Sequence, residues 1–369
     1  MRRAAFTGSL LAASAFAAVP AHAQNRDAYK IGVTFPLTGP LADSAQLYLK
    51  GIEVAVEEIN NAGGVSGHPL LLAVEDSQGT PQAGIAAMRK LVQVDGVQAI
   101  VTIFTNVVTA QIPLAEQVKV PFLCTVETDA LRNKSPYAFQ HAATISNKGR
   151  LFADYWRSTK VKSVYGLVVN NSAGPFFSNI AKAGTQAVGA TYTESSYNDG
   201  ESDYRGLVAR TKAARPDCVF VAELGGLSGA QIIRQLREGG VTAPVIMPGI
   251  FFDEPGWRNA VGSYIGSVIE SGLTFDERNG HQFMTAYRAK TGLKPSYQSG
   301  ENYEIIKMFA LAISRSSYNG EAIRNALTQL KNVPSVFGGT YSMDASNYSV
   351  PEGDGLWQVR GGKLVRVTV

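Results

Sequence analysis

Residues 98–131 read Q-A-I-V-T-I-F-T-N-V-V-T-A-Q-I-P-L-A-E-Q-V-K-V-P-F-L-C-T-V-E-T-D-A-L. An apolar run, 99–104, stops at Thr105-Asn106. A helical pattern follows, and then a second apolar run, 120–124, breaks into Thr125, Val126, Glu127, Thr128 and Asp129. Short unbroken apolar runs alternating with helical segments are the pattern of parallel strands buried on both faces. In such sheets small molecules bind beyond the carboxyl ends of the strands. Both polar breaks therefore fall on one rim, which either catalyses a reaction or holds a ligand.

The same rhythm extends outward in both directions. Residues 29–35, Y-K-I-G-V-T-F, form a strand closed by the Pro/Gly turn at 36–40. Asp43 or Ser44 is placed to cap a helix reaching about residue 61, where Gly63-Gly64 stop it. A strand at 69–76 follows, and Thr80-Pro81 opens the next helix with proline in its first turn. This is one doubly wound α/β lobe. After residue 141 the pattern resets and repeats, with strands at 164–169, 217–222 and 244–247 separated by helices. Three amphipathic helices then fall at 279–291, 303–316 and 321–331, and a hairpin turns on Gly361-Gly362.

Composition narrows the class. A hydrophobic content of 45% with only 17% charged residues is that of a folded globular chain, not a disordered one. At the N-terminus Arg2-Arg3 precede a short apolar segment and Ala21-His22-Ala23, the pattern of a secretory signal cleaved after Ala23. The absence of a cysteine at that site argues against a lipid anchor. Loss of the two arginines lowers the formal net charge of +4 by two. That near-neutral balance, without a Lys/Arg cluster, excludes a nucleic-acid footprint. Cys124 and Cys218 cannot make a four-ligand zinc site, and no other metal spacing occurs. No cofactor motif is present: Gly225-Gly226-Leu227-Ser228-Gly229 lacks the lysine of a phosphate loop. His22 leaves with the signal, His68 and His281 read as surface residues and His141 as structural, so general acid–base chemistry lacks its usual carrier.

Several segments together resemble a known family. They are I-G-V-T-F-P-L-T-G-P-L-A (31–42), E-I-N-N-A-G-G-V-S-G (58–67), E-D-S-Q-G-T-P (75–81), D-Y-R-G-L-V-A-R-T-K-A-A-R-P-D-C-V-F-V (203–221) and G-A-Q-I-I-R-Q-L-R-E-G-G (229–240). In that order and spacing the chain is similar to the solute-binding proteins of branched-chain-amino-acid-type ABC importers, the Leu/Ile/Val-binding family of type I periplasmic binding proteins. The resemblance implies two Rossmann-like doubly wound lobes joined by three crossovers, with a ligand cleft between them that closes by a hinge motion. Crossovers are expected near 143–146, 271–275 and 338–341. Lobe one then comprises 24–144 plus 273–339, and lobe two 145–272 plus 340–369. Cys124 and Cys218 fall in different lobes, as free thiols. The implied partners are a small-molecule ligand and an ABC permease in the inner membrane, with the receptor itself a periplasmic monomer.

The resemblance also implies pocket positions. In lobe one these are Ser44, where the family often has an aromatic ring, Thr105 with Asn106, and Val126, Glu127 and Thr128. A hydroxyl beside a helix start suits a carboxylate, because unpaired backbone N–H groups and a partial positive charge lie there. In lobe two the corresponding region holds Gly174 and Phe176 without the family's tyrosine. A second aromatic position falls on Leu224 or Gly225, and the ammonium-pairing acid is missing near Gly249. Phe251 and Phe252 follow, and no acid appears before Asp253. A buried ammonium without a counter-charge is costly, by several kcal/mol. Either Glu127, Glu223 or Asp253 replaces that acid, or the ligand is an aromatic or aliphatic carboxylic acid without an ammonium. A ligand-sensing module of a signalling receptor would share the same fold.

Overall fold

A computed structural model describes residues 27–39, 41–171, 173–223, 227–250 and 255–368. The first half runs β1 (Tyr29–Phe35), α1 (Ala42–Asn61), β2 (Leu70–Asp76), α2 (Pro81–Gln93), β3 (Ile100–Thr102), α3 (Thr105–Val118), β4 (Phe122–Cys124) and β5 (Ala138–His141). A second series follows: α4 (Ile145–Ser158), β6 (Ser163–Val169), α5 (Ala173–Val188), β7 (Thr191–Tyr197), α6 (Arg205–Ala214), β8 (Cys218–Ala222), α7 (Leu227–Glu238), β9 (Val245–Met247), α8 (Pro255–Val261) and β10 (Val268–Gly272). The chain ends with α9 (His281–Thr291), α10 (Tyr297–Ser314), α11 (Gly320–Thr328), β11 (Val333–Pro334), β12 (Thr340–Tyr341), β13 (Tyr348–Ser349), β14 (Gly355–Arg360) and β15 (Lys363–Arg366).

Among the described residues these strands make two large sheets. One has the order β13-β5-β4-β3-β1-β2, and its pairs are parallel throughout. The other has the order β15-β14-β10-β9-β8-β6-β7, parallel except where β14 joins β10 and β15. Each sheet is covered on both faces, which is why its strands read as unbroken apolar runs. In the first, Ile31, Val33 and Phe35 face a core shared with α1, α10 and α11, while Ile100, Phe122 and Cys124 face α2 and α3. In the second, Leu167, Val219 and Val245 pack on α6, α7 and α8, and Val164, Phe220 and Ile246 on α4 and α5.

Local signals explain most element ends. Thr80 accepts from the Ala83 N–H at 3.3 Å, with Pro81 in the first turn of α2. Gly361 and Gly362 adopt φ of 57° and 76°, the left-handed pair that a two-residue hairpin turn between β14 and β15 requires. α1 differs from expectation. It starts at Ala42 without a side-chain cap, so Asp43 and Ser44 lie inside its first turn. α10 also starts six residues before the expected 303, capped by the Ser296 hydroxyl on the Ser299 N–H at 3.2 Å.

The third crossover is displaced from the expected 338–341. β13 pairs with β5, Tyr348 opposite Gln140 and Ser349 opposite His141, so the chain is still in the first sheet there. Tyr341 and Met343 lie in the first lobe's core. The passage to the second sheet falls between Ser349 and Gly355, and residues 340–349 therefore pack with lobe one. The physical reason is burial: three large side chains, Tyr341, Met343 and Tyr348, leave water against the first sheet.

Candidate functional site

The carboxyl ends of the parallel strands carry the expected polar breaks. Behind β3, Phe104 takes φ 68° and ψ 122°, an uncommon conformation that turns the chain sharply into α3. α3 has no side-chain cap, so its first amides lack an intrahelical partner. Thr105 and Asn106 occupy that turn and are exposed. Asn106 Nδ2 donates to the Gly79 carbonyl at 2.8 Å, tying the helix start to the loop behind β2. Thr105 keeps its hydroxyl beside the open helix end, a geometry that suits an anion.

Behind β4 the arrangement is more specific than the sequence indicates. The Val126 carbonyl accepts from Gln140 Nε2 inside lobe one. The Thr128 carbonyl accepts from the same amide at 2.9 Å. The Thr128 hydroxyl caps a short 3-10 turn by accepting from the Ala130 N–H at 3.1 Å, which leaves its O–H as a donor.

Glu127 lies between two donors. Lys148 Nζ is 2.6 Å from Oε2, and the Tyr297 hydroxyl donates to Oε1 at 3.0 Å. Its carbonyl also accepts from the Ile145 N–H, at 3.1 Å, where α4 begins. Lys148 is only 8% exposed and Glu127 22%. Burial opposes the charge on Lys148, but the charge and hydrogen bond of Glu127 outweigh it and raise its pKa above the ordinary lysine value. Two more acids stand close by. Glu301 on α10 is 1% exposed; burial, and then the negative charge of Glu127, push its carboxyl well above the usual range. Burial lifts Asp354, between β13 and β14, to about 6, with Lys148 opposing. Glu301 Oε2, Asn302 Oδ1 and Asp354 Oδ1 are buried without a hydrogen-bond partner among the described residues.

Ser44 is exposed on α1 and hydrogen-bonds Tyr48 one turn later. Tyr48 is partly buried against the first lobe's core. Sequence reasoning missed Tyr48, Lys148, Tyr297 and Glu301. A signal existed for Tyr48, since residues four apart share a helix face. For Tyr297 and Glu301 the late expected start of α10 hid it.

In lobe two, Gly174 is in the first turn of α5. A Cβ there would come within 1.9 Å of the Val169 carbonyl oxygen, so glycine lets the helix start abut the end of β6. Phe176 is half-buried and meets Phe177 edge-on at 4.9 Å and 87°. Glu223 is buried behind β8; it accepts from the Tyr197 hydroxyl and from the Gly229 N–H at 3.1 Å, in the first turn of α7. Gly249 is buried just past β9. Leu224, Gly225, Phe251, Phe252 and Asp253 lie outside the described residues, as does the N-terminal segment 1–26.

The groups that carry chemistry elsewhere are tied into structure here. His141 is fully buried between Ser349 Oγ, at 2.8 Å, and Glu304 Oε2, at 2.7 Å, linking β5, β13 and α10. His68 stacks on Tyr29 at 4.3 Å. Cys124 and Cys218 are buried free thiols in separate sheets, each pushed by burial to about 12 and so unreactive at neutral pH. Among the described residues no group of His, Cys, Asp and Glu is arranged to hold a metal ion.

Two α/β lobes with a polar rim of strand ends and helix starts define a ligand-capturing receptor. A family model described as periplasmic binding protein matches residues 28–355. The Leu/Ile/Val-binding protein homolog 3 of Brucella melitensis is 27% identical over 372 residues, spanning 96% of this chain and 98% of its own. An isoleucine complex of the branched-chain amino acid transporter substrate binding protein from Streptococcus pneumoniae superposes with a TM-score of 0.69 at 22% identity, over 92% of this chain and 98% of that one. A 3,4-dihydroxybenzoic acid complex of an ABC transporter solute binding protein from Rhodopseudomonas palustris BisB5 gives 0.71 at 22% identity, over 93% and 96%. The chain belongs to the periplasmic binding protein family. The relative named above is a Leu/Ile/Val-binding protein homolog, and the two solved structures are substrate- or solute-binding proteins of ABC transporters.

Proposed function

We propose that the protein captures a small carboxylic acid without an ammonium group, aromatic or aliphatic, and delivers it to an ABC permease. One observation carries this reading. The two described acids that were candidates to meet an ammonium are both engaged by the protein itself, Glu127 by Lys148 and Tyr297, Glu223 by Tyr197 and the start of α7. The ligand's carboxylate meets the open first turn of α3 at Thr105 and Asn106, with the Thr128 hydroxyl as a further donor. Its apolar body lies against Phe176, with Gly174 and Gly249 shaping the backbone of the second wall and Ser44 and Val126 the first. Lobe closure then removes the acid from water. The mature receptor acts as a monomer in the periplasm, after cleavage following Ala23.

The relative's name and the isoleucine complex support a second reading, a branched-chain amino acid whose ammonium is met by Asp253. Thermal-shift screening separates the two: stabilisation by 3,4-dihydroxybenzoate, benzoate or hexanoate and not by isoleucine supports the acid. The reverse pattern rejects it.

A further inference from the structure

We infer that Lys148 is a built-in stand-in for a ligand ammonium, and that it sets the preference of this cleft for acids bearing no positive charge. This rests on the carboxylate reading above. Glu127 stands at the end of β4 among the rim loops and keeps 22% of its side chain exposed. A partly buried carboxylate at such a place needs a cation to offset its desolvation. Here the cation comes from the chain. Lys148 reaches across from α4, whose Phe152 and Trp156 are anchored in the second lobe's core, and places its ammonium 2.6 Å from Oε2. Tyr297 fills the other oxygen at 3.0 Å. A ligand ammonium arriving at Glu127 would meet an already neutralised carboxylate and a like charge beside it, which specificity by repulsion requires.

The neighbouring groups reinforce this role. Lys148 faces Glu127 from lobe one, Glu301 from α10 and Asp354 from the third crossover, with Tyr48 and Tyr297 around the acids. Burial favours the protonated, neutral form of Glu301, while Asp354, raised to about 6, is mostly ionised at pH 7 and faces Lys148 as a second negative charge beside the Glu127 pair. The pair spans the join between lobes, where β5 passes into α4.

The test compares the affinity of the full mature protein for 3,4-dihydroxybenzoate and isoleucine by calorimetry. Lys148→Met keeps the length of the stem and uncovers Glu127. The expected result is at least tenfold weaker binding of the acid and at least tenfold tighter binding of isoleucine. Glu127→Gln leaves the lysine charge uncancelled and should tighten the acid several-fold without admitting isoleucine. The double variant should lose the isoleucine gain of Lys148→Met. Merely structural residues would weaken both ligands alike. A folded Lys148→Met with the wild-type ratio of affinities overturns the inference alone. If that variant does not fold, unchanged or weaker acid binding by Glu127→Gln overturns it. Wild-type protein that takes isoleucine, or neither probe, defeats the carboxylate reading and the role of Lys148 with it.

Discussion

Glu127 and Glu223 each stand just past the end of a parallel strand, one in either lobe, and each is bound by two donors. The donors differ in kind. Glu127 receives a full positive charge from Lys148 and a hydroxyl from Tyr297. Glu223 receives a hydroxyl from Tyr197 and a backbone N–H from the start of α7. The first is a charge pair at the join of the lobes, partly open to water. The second is a capping carboxylate sealed inside one lobe. Position on a strand end therefore does not by itself make an acid a ligand contact; what already satisfies it decides.

The largest expected effect breaks the first of these arrangements. Glu127→Gln strands a buried ammonium, and breaking a buried pair costs about 3–5 kcal/mol; the solvent-exposed part of Glu127 reduces the expected loss to about 2–3 kcal/mol, measurable by urea denaturation. A loss under about 1 kcal/mol would mean that the charge pair carries little weight. Next comes the lobe-two wall: Gly174→Ala forces a Cβ against the Val169 carbonyl and should destabilise by about 1–3 kcal/mol, with weaker acid binding. Tyr197→Phe removes one of the Glu223 donors and should cost about 1–2 kcal/mol while leaving the ratio of acid to isoleucine affinity unchanged. A change in that ratio would move Glu223 from cap to ligand contact.

The smallest effect is one of pH and concerns the surroundings of Lys148. Burial raises Asp354 from an ordinary carboxyl to about 6 in the folded protein. A raised carboxyl binds its proton more tightly when folded, so its stabilising contribution is complete below about pH 4 and disappears as pH rises through about 6. Asp354→Asn should flatten the dependence of Tm on pH between pH 4 and 7. An unaltered slope would show that Asp354 titrates as an ordinary acid.

The doubly wound rhythm was legible because its strands are buried on both faces and its helices carry local stop and start signals, as at Thr80-Pro81 and Gly361-Gly362. The rim at Thr105-Asn106 was legible for the same reason. Other features needed tertiary contacts. The first turns of α10 read Y-Q-S-G-E-N, too polar and glycine-bearing for a helix by propensity, and form one because they are buried against α1. A Cβ on Gly51 of α1 would lie 2.1 Å from the Ser299 carbonyl, which shows how close the two helices come. The third crossover was misplaced because the two-residue strand β13 is too short to leave an alternating pattern. Lys148 and Glu127 join a loop to the next helix, so no helical or strand period links them. The hydrogen bond from Gln140 on β5 to the Val126 carbonyl likewise joins residues that no local pattern links.

The most direct measurement is a calorimetric titration of the mature wild-type protein with 3,4-dihydroxybenzoate and isoleucine at pH 7, paired with the same titrations of Lys148→Met. The account predicts that the wild-type takes the acid and rejects isoleucine, and that the variant reverses the order. Isoleucine bound more tightly than the acid by the wild-type protein would contradict it.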